Sequence, residues 1–346
     1  MVVAAGLGSL ADAVREAPRV VAVGSRTHWE VGNPPATEAI EVRAPDGIVA
    51  YEPADLTVTV GAGTSVQELA DLLAAHGQEV ALDPRSALAT VGGVIATGLS
   101  GYRRLRWGPL RDRVLEVRFV NADGDIVKGG GPTVKNVSGF DLPRLLVGSF
   151  GTIGVLTQLT LRCQPIARLR EWSTTRDDPC SILRRAYRPS AVMWNGQETR
   201  VLVEGVAADI DAQRAAMGST ADDSALAFPE GRHRGRISVR PSALPALGPR
   251  LDDANVRWLA EIGIGTVHVA ADEEADLDAA RREAEAAGGW MLREAGAPGI
   301  DGFGRALPNA RLQARISAAF DPEGKFSPGR MGSPALKTGS SPGAPG

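Results

Sequence analysis

Ala89-Thr90-Val91-Gly92-Gly93-Val94-Ile95-Ala96-Thr97-Gly98-Leu99-Ser100-Gly101 puts four glycines in thirteen positions, separated mostly by small or β-branched residues. A main chain this bare lets a flat, bulky ligand approach closely, because no Cβ intervenes. Its N–H groups can then cradle phosphate oxygens. Pro84 precedes the stretch, and a second glycine run, Gly148-Ser149-Phe150-Gly151-Thr152-Ile153-Gly154-Val155, follows it. Two such runs at this separation point to a large dinucleotide laid along the backbone. Glycine at this density also serves close packing of two layers, so the stretch alone leaves both uses open.

Three further pieces sharpen the reading. Asp83-Pro84 with the Ala89–Gly101 stretch, followed by KNVSGFDLPRLLVGSFGTIGVLT from Lys135 to Thr157, resembles the FAD-binding domain of the vanillyl-alcohol-oxidase (PCMH-type) flavoproteins. Val23-Gly24-Ser25-Arg26-Thr27-His28-Trp29 is similar to the first pyrophosphate loop of that class. Phe320-Asp321-Pro322-Glu323-Gly324-Lys325-Phe326-Ser327-Pro328-Gly329-Arg330 resembles the closing segment of its 2-hydroxy-acid dehydrogenases. Four motifs in order are far more specific than one. Within the class the likeness is nearest to the E-subunit branch of the bacterial glycolate oxidases. Phe150 stands where the D-lactate-dehydrogenase and D-subunit branches carry glutamate, which favours the E-subunit branch and weakens the expectation of independent catalysis.

The resemblance implies an α+β fold. A two-part PCMH-type FAD-binding domain would occupy residues 1–165 and a small α+β cap 166–310. A C-terminal segment, 311–330, would return to the FAD domain, and a Gly/Pro/Ser-rich tail, 331–346, is expected to be disordered. The implied cofactor is non-covalent FAD. Gly24, Ser25, Arg26, Thr27 and His28 would form the pyrophosphate loop, with the amides of Ser25, Arg26 and Thr27 as donors. Pro84, Thr90 and Val91 would flank the flavin, and Gly92 and Gly93 would lie by the pyrophosphate. Ala96, Gly98, Ser100 and Gly101 would lie on the isoalloxazine side, Gly154 and Val155 by the adenosine half, and Lys135 and Asn136 in a flavin-facing segment. The register argues against a covalent histidyl bond: Thr27 fills the slot that histidine takes in covalent relatives, and His28 follows it. The implied partners are a small 2-hydroxy-acid substrate, a paralogous FAD subunit and an iron–sulfur subunit.

Composition bounds the rest. The chain of 346 residues suffices for two domains. Hydrophobic content of 43% and charged content of 23% are those of a globular protein, and a net charge of −3 gives no reason to expect nucleic acid. The only lysines are Lys128, Lys135, Lys325 and Lys337, a bias that makes clusters such as Arg103-Arg104 weak indicators of function. Two cysteines, Cys163 and Cys180, are too few for an iron–sulfur cluster held by this chain alone. Electrons taken up here must therefore leave to oxygen, a diffusible acceptor or another subunit. No metal is expected. The first residues lack a signal-peptide pattern and no stretch approaches a membrane span, so a cytoplasmic location is expected.

Periodicity predicts helices over 9–17, 66–75, 142–146, 210–217 and 274–287. It predicts strands over 19–23, 56–60, 114–120, 125–128, 154–162, 199–204, 236–240, 266–270 and 290–294. Gly61-Ala62-Gly63 follows a strand and precedes a helix, the start of a Rossmann fingerprint. It lacks the third glycine and the acidic residue about 20 positions on, so that rival is poor. Removing hydride from a 2-hydroxy acid requires a base for the hydroxyl proton and a cation for the carboxylate. His76 ends a helix and His233 lies in a polar stretch. His268 and Arg240 sit on the polar faces of two cap strands, and are base and clamp if those faces look down on the flavin; otherwise the faces are solvated. A non-catalytic FAD-binding subunit, whose paralogue performs the oxidation, is the alternative.

Overall fold

The computed structural model describes residues 2–3, 6–132, 140–304 and 309–331. Lys135, Asn136 and the tail beyond 331 lie outside the described residues.

The alternating strand Thr57–Gly61 buries Val58 and Val60 in a five-stranded antiparallel sheet. The strand order is Ile48–Glu52, Thr57–Gly61, Val155–Arg162, Val114–Val120, Ile126–Gly130. Helix Val66–Ala74 follows, capped where Ser65 Oγ accepts the Glu68 amide at 3.1 Å, and buries Leu69 and Leu73 against that core. Beside this layer lies a small parallel sheet of Val2–Val3, Ile40–Val42 and Val20–Ala22, with helix Leu7–Glu16 supplying Leu10 and Val14.

The glycine-rich stretch is not an extended loop: Val91–Thr97 is a helix. Thr90 Oγ1 accepts the Gly93 amide at 3.2 Å, Val91, Val94 and Ile95 point into the core, and Gly98 closes the helix in the left-handed conformation. Two of its glycines answer to protein packing. A Cβ on Gly92 would stand 2.7 Å from the Ala62 carbonyl oxygen, and one on Gly101 2.2 Å from Asp83 Cβ.

After the ribbon pairing Gln164–Pro165 with Gln78–Glu79, the chain builds an eight-stranded antiparallel sheet. Its order is Thr220–Asp222, Leu169–Thr175, Thr199–Gly205, Ala191–Trp194, Arg257–Glu261, Thr266–Ala271, His233–Ser238, Trp290–Ala295. Helices Pro179–Arg185, Ala207–Met217, Leu244–Asp253 and Glu274–Ala286 cover one face over Val201, Ile237, Val267 and Met291. The opposite face looks at the N-terminal layer: Leu259 and Met193 pack with Tyr102, and Leu292 packs with Val31, Leu99 and Phe150.

The last helix, Ala310–Phe320, leads back to the N-terminal layer. Asp321 accepts the amides of Lys325 and Phe326 at 2.8 and 2.7 Å. Phe326 bridges to Val20, and Lys325 Nζ donates to the carbonyls of Val14 and Ala122 at 3.0 and 2.9 Å.

Candidate flavin cleft and the cap face above it

Strand Val20–Ala22 ends in the loop 24–28, helix Val91–Thr97 ends at Gly98, and Phe150–Leu156 leads into Val155–Arg162. These three pieces, with Ser327 and Arg330, line a cleft open to solvent. Gly24, Ser25, Arg26, Thr27, His28, Thr90, Gly92, Gly93, Ala96 and Gly154 line it.

The other expected residues stand elsewhere. Val91 and Val155 are buried beneath the cleft wall. Gly98 is the helix stop. Ser100 is buried, its Oγ accepting the Leu110 amide and its carbonyl accepting Arg236 Nη2 at 2.7 Å. Gly101 lies against Asp83, and Pro84 borders a separate cavity beside helix Val66–Ala74.

The amides sort the loops by what they can still bind. At the helix start, Val91 N donates to Thr64 O, Gly92 N to Ala62 O and Gly93 N to Thr90 Oγ1. Those donors are spent, so Gly92 and Gly93 offer a surface and no hydrogen bonds. Over residues 24–28, by contrast, no amide donates to another described residue. Arg26 has φ +62° inside that loop, which turns successive N–H groups inward as an anion-binding nest. The residues present therefore fit a pyrophosphate at 24–28, with close, mostly apolar walls for the flat rings.

Arg330, itself on the cleft wall, braces this loop. Its Nη1 donates to the carbonyls of Trp29 and Asn33 at 2.7 and 3.2 Å, its Nη2 to that of His28 at 3.3 Å, and its guanidinium lies over the Trp29 ring. Burial, with Arg293 nearby, pulls the Arg330 pKa down to about 10, which leaves it cationic at neutral pH. Gly24 must be glycine: a Cβ there would lie 2.3 Å from the capping Thr90 Oγ1.

The polar face of the cap sheet closes on the His28 side. Register pairs Arg236 with His268, and His268 with Leu259, in adjacent strands. A bulge opposite Arg234 and Gly235 brings Glu294 to this face. His268 is buried, with Nε2 2.6 Å from Glu261 Oε1 and Nδ1 2.8 Å from Arg85 Nη2. Phe228 packs edge-on against its ring. Burial lowers the His268 pKa, and Glu261 pulls the other way without prevailing. Burial likewise lowers that of His28, with opposed smaller effects of Glu294 and Arg85. Burial raises the Glu294 pKa, but Arg85, His268, Arg236 and Arg234 together outweigh it and hold the carboxyl below its ordinary value.

Of the two expected catalytic residues, only His268 reaches this face. Arg240 is exposed: its strand ends at Ser238, and Pro241, which has no N–H, starts a 3-10 turn. Sequence reading missed Arg85, Arg236, Glu261 and Glu294. The available signal was period-two charge, since Arg234 and Arg236 alternate with buried Gly235 and Ile237. It also missed the part played by Ala62 and Gly63, which line the cleft. Among the described residues no His/Cys/carboxylate group is arranged to hold a metal.

Comparison with known proteins agrees with this geometry. An FAD binding domain family matches residues 2–130. The chain is 29% identical to glycolate oxidase subunit GlcE of Escherichia coli K12 over 92% of its own length and 94% of that protein's. It is 45% identical to the D-lactate dehydrogenase of Archaeoglobus fulgidus over 31% of its length, a match that spans only 24% of that enzyme. The structure superposes on alkyldihydroxyacetonephosphate synthase with a TM-score of 0.65 at 14% identity, covering 92% of this chain and 74% of the other, which shows the fold. Residues 2–130 thus match an FAD binding domain, and the chain as a whole is similar to a glycolate oxidase subunit and, over about a third of its length, to D-lactate dehydrogenases.

Proposed function

We propose that this chain oxidises a small 2-hydroxy acid such as glycolate, as one FAD subunit of a cytoplasmic complex that also holds a paralogous FAD subunit and an iron–sulfur subunit. The observation that carries the reading is the meeting of the cleft, at His28, with a cap face that presents arginines, a histidine and carboxylates. FAD bound in the cleft supplies the hydride acceptor. The chain's own residues bind the pyrophosphate at 24–28, exclude water beneath the cap sheet, and place cationic groups where a carboxylate would sit. The similarity to GlcE over nearly the whole chain supports membership of a complex. Two cysteines are too few for a cluster in this chain, so the electrons leave for an acceptor outside it, here assigned to the iron–sulfur subunit.

A second reading, an FAD-binding subunit that does no chemistry, is favoured by one observation: both ring nitrogens of His268 are engaged in the structure. The test is anaerobic addition of glycolate or D-lactate to the FAD-loaded chain, alone and with its co-purifying subunits. Loss of visible flavin absorbance in the isolated chain supports oxidation here. A yellow protein that stays yellow alone and in the complex defeats it.

A further inference from the structure

We propose that Arg85 is the residue that binds the substrate carboxylate, and that Glu261 and His268 are positioning residues that hold its guanidinium. The proposal rests on the 2-hydroxy-acid reading above and replaces His268 as base.

Arg85 follows Asp83-Pro84 on the flavin-side layer and crosses to the cap. Its Nη2 meets His268 Nδ1 at 2.8 Å and Glu294 at 3.3 Å, and its guanidinium stacks 4.6 Å over Phe228. For Arg85 to donate to Nδ1, that nitrogen must carry the lone pair, so the ring proton sits on Nε2 and points at Glu261. Glu261, His268 and Arg85 thus form one directed chain. A histidine with one nitrogen donating and the other accepting has no site left for a substrate proton.

Arg85 itself is not used up. Its Nη1 and Nε donate to no described residue, and its side chain keeps 32% of its exposure although it lies between two layers. Nη1 and Nε can therefore each donate to a carboxylate oxygen, and the guanidinium supplies the charge that attracts it. Glu294 neutralises only part of the surrounding charge, because Arg234 and Arg236 share this face. The excess is positive, as a small organic anion needs. Position agrees: Arg85 and Glu294 are near enough to His28, on the cleft wall, to affect its charge.

The test is calorimetric titration of the FAD-loaded chain with oxalate, a carboxylate that cannot be oxidised at a carbinol. Arg85→Met should weaken oxalate by about ten-fold or more, the worth of a charge-assisted pair, while flavin content stays at the wild-type level. Arg85→Lys should recover part of the loss. His268→Gln, which can still donate to Glu261 and accept from Arg85, should bind nearly as wild type, and His268→Leu should bind weakly. In the active complex, Arg85→Met and His268→Leu should raise KM with a smaller change in kcat, whereas loss of a base would depress kcat. Oxalate affinity unchanged in Arg85→Met overturns the proposal. So does a His268→Gln enzyme with normal KM but collapsed kcat. If Arg85 governs oxalate binding yet no 2-hydroxy acid bleaches the flavin, the anion site stands and the assigned reaction falls.

Discussion

Thr90 and Gly24 show how closely this cleft is specified by single atoms. Thr90 Oγ1 caps the helix that floors the cleft, and Gly24 leaves the space which that oxygen fills. Thr90→Val should cost about 1 kcal/mol through the lost cap. Gly24→Ala should cost about 1–3 kcal/mol through overpacking and should also displace the 24–28 amides, so the purified variant should carry much less flavin per chain. Denaturant unfolding and the ratio of flavin to protein absorbance check both. If Gly24→Ala retains a full complement of FAD, the loop is not the pyrophosphate site. At this scale the sequence was legible where a motif exists: the Gly24–His28 loop and Ala96, expected beside the cofactor from separate motifs, come together on one cleft. Gly92 lines the cleft while also packing against Ala62, and Gly101 lies against Asp83 and away from the cleft lining. The sequence was silent on Arg85, because a lone arginine in a loop carries no periodicity.

Strands were readable where polar and apolar residues alternate along the chain, even in Thr266–Ala271, which is buried throughout. Thr57–Gly61, Val114–Val120, Val155–Arg162 and Thr266–Ala271 fall within a residue or two of expectation, and Leu142–Leu146 coincides with it. Ala191–Trp194 and Arg257–Glu261 went unread because neither alternates polar with apolar residues. Helix Leu244–Asp253 contains Pro249, a breaker by rule. The strand carrying His268 yields a pH prediction. The buried ring resists protonation, so its folded pKa lies below the ordinary 6.5. Below that pH the unfolded chain takes up a proton that the folded one refuses. Stability is therefore full above pH 6.5 and falls on acidification, by at most about 1.4 kcal/mol per pH unit for one group. His28 acts in the same direction. His268→Gln should flatten the slope of melting temperature against pH between about 6.5 and 5.5; an unchanged slope would mean that the ring is charged in the folded protein.

On the scale of the whole molecule, the two large sheets are joined by a side chain that composition had argued us into discounting. Arg103 is buried and donates to Asp83 and Glu79 on its own layer and to Glu204 on the cap sheet, while Arg170 reaches back from the cap to Glu79. Burial alone would lower the Arg103 pKa, but Asp83 and Glu79 raise it well above its ordinary value. Arg103→Leu leaves the carboxylate of Asp83 without a cation, and Glu79 and Glu204 with Arg170, and should cost about 3–5 kcal/mol. The expected signature is a urea profile that splits into two transitions, with cap and flavin layer unfolding apart. A single transition at the wild-type midpoint would show that the network joins nothing. Nothing in local sequence marks this junction, since its members lie about a hundred residues apart and meet only in the folded chain.

The loop that offers its amides to pyrophosphate is completed by Arg330, and its parent strand by Phe326. The first binding element to leave the ribosome is thus among the last to become competent. A nascent polypeptide stalled anywhere before residue 330 exposes a finished nest with no brace. Flavin loading therefore waits for residue 330, and a chain truncated ahead of Phe326 should be colourless even though the whole 24–28 loop is present.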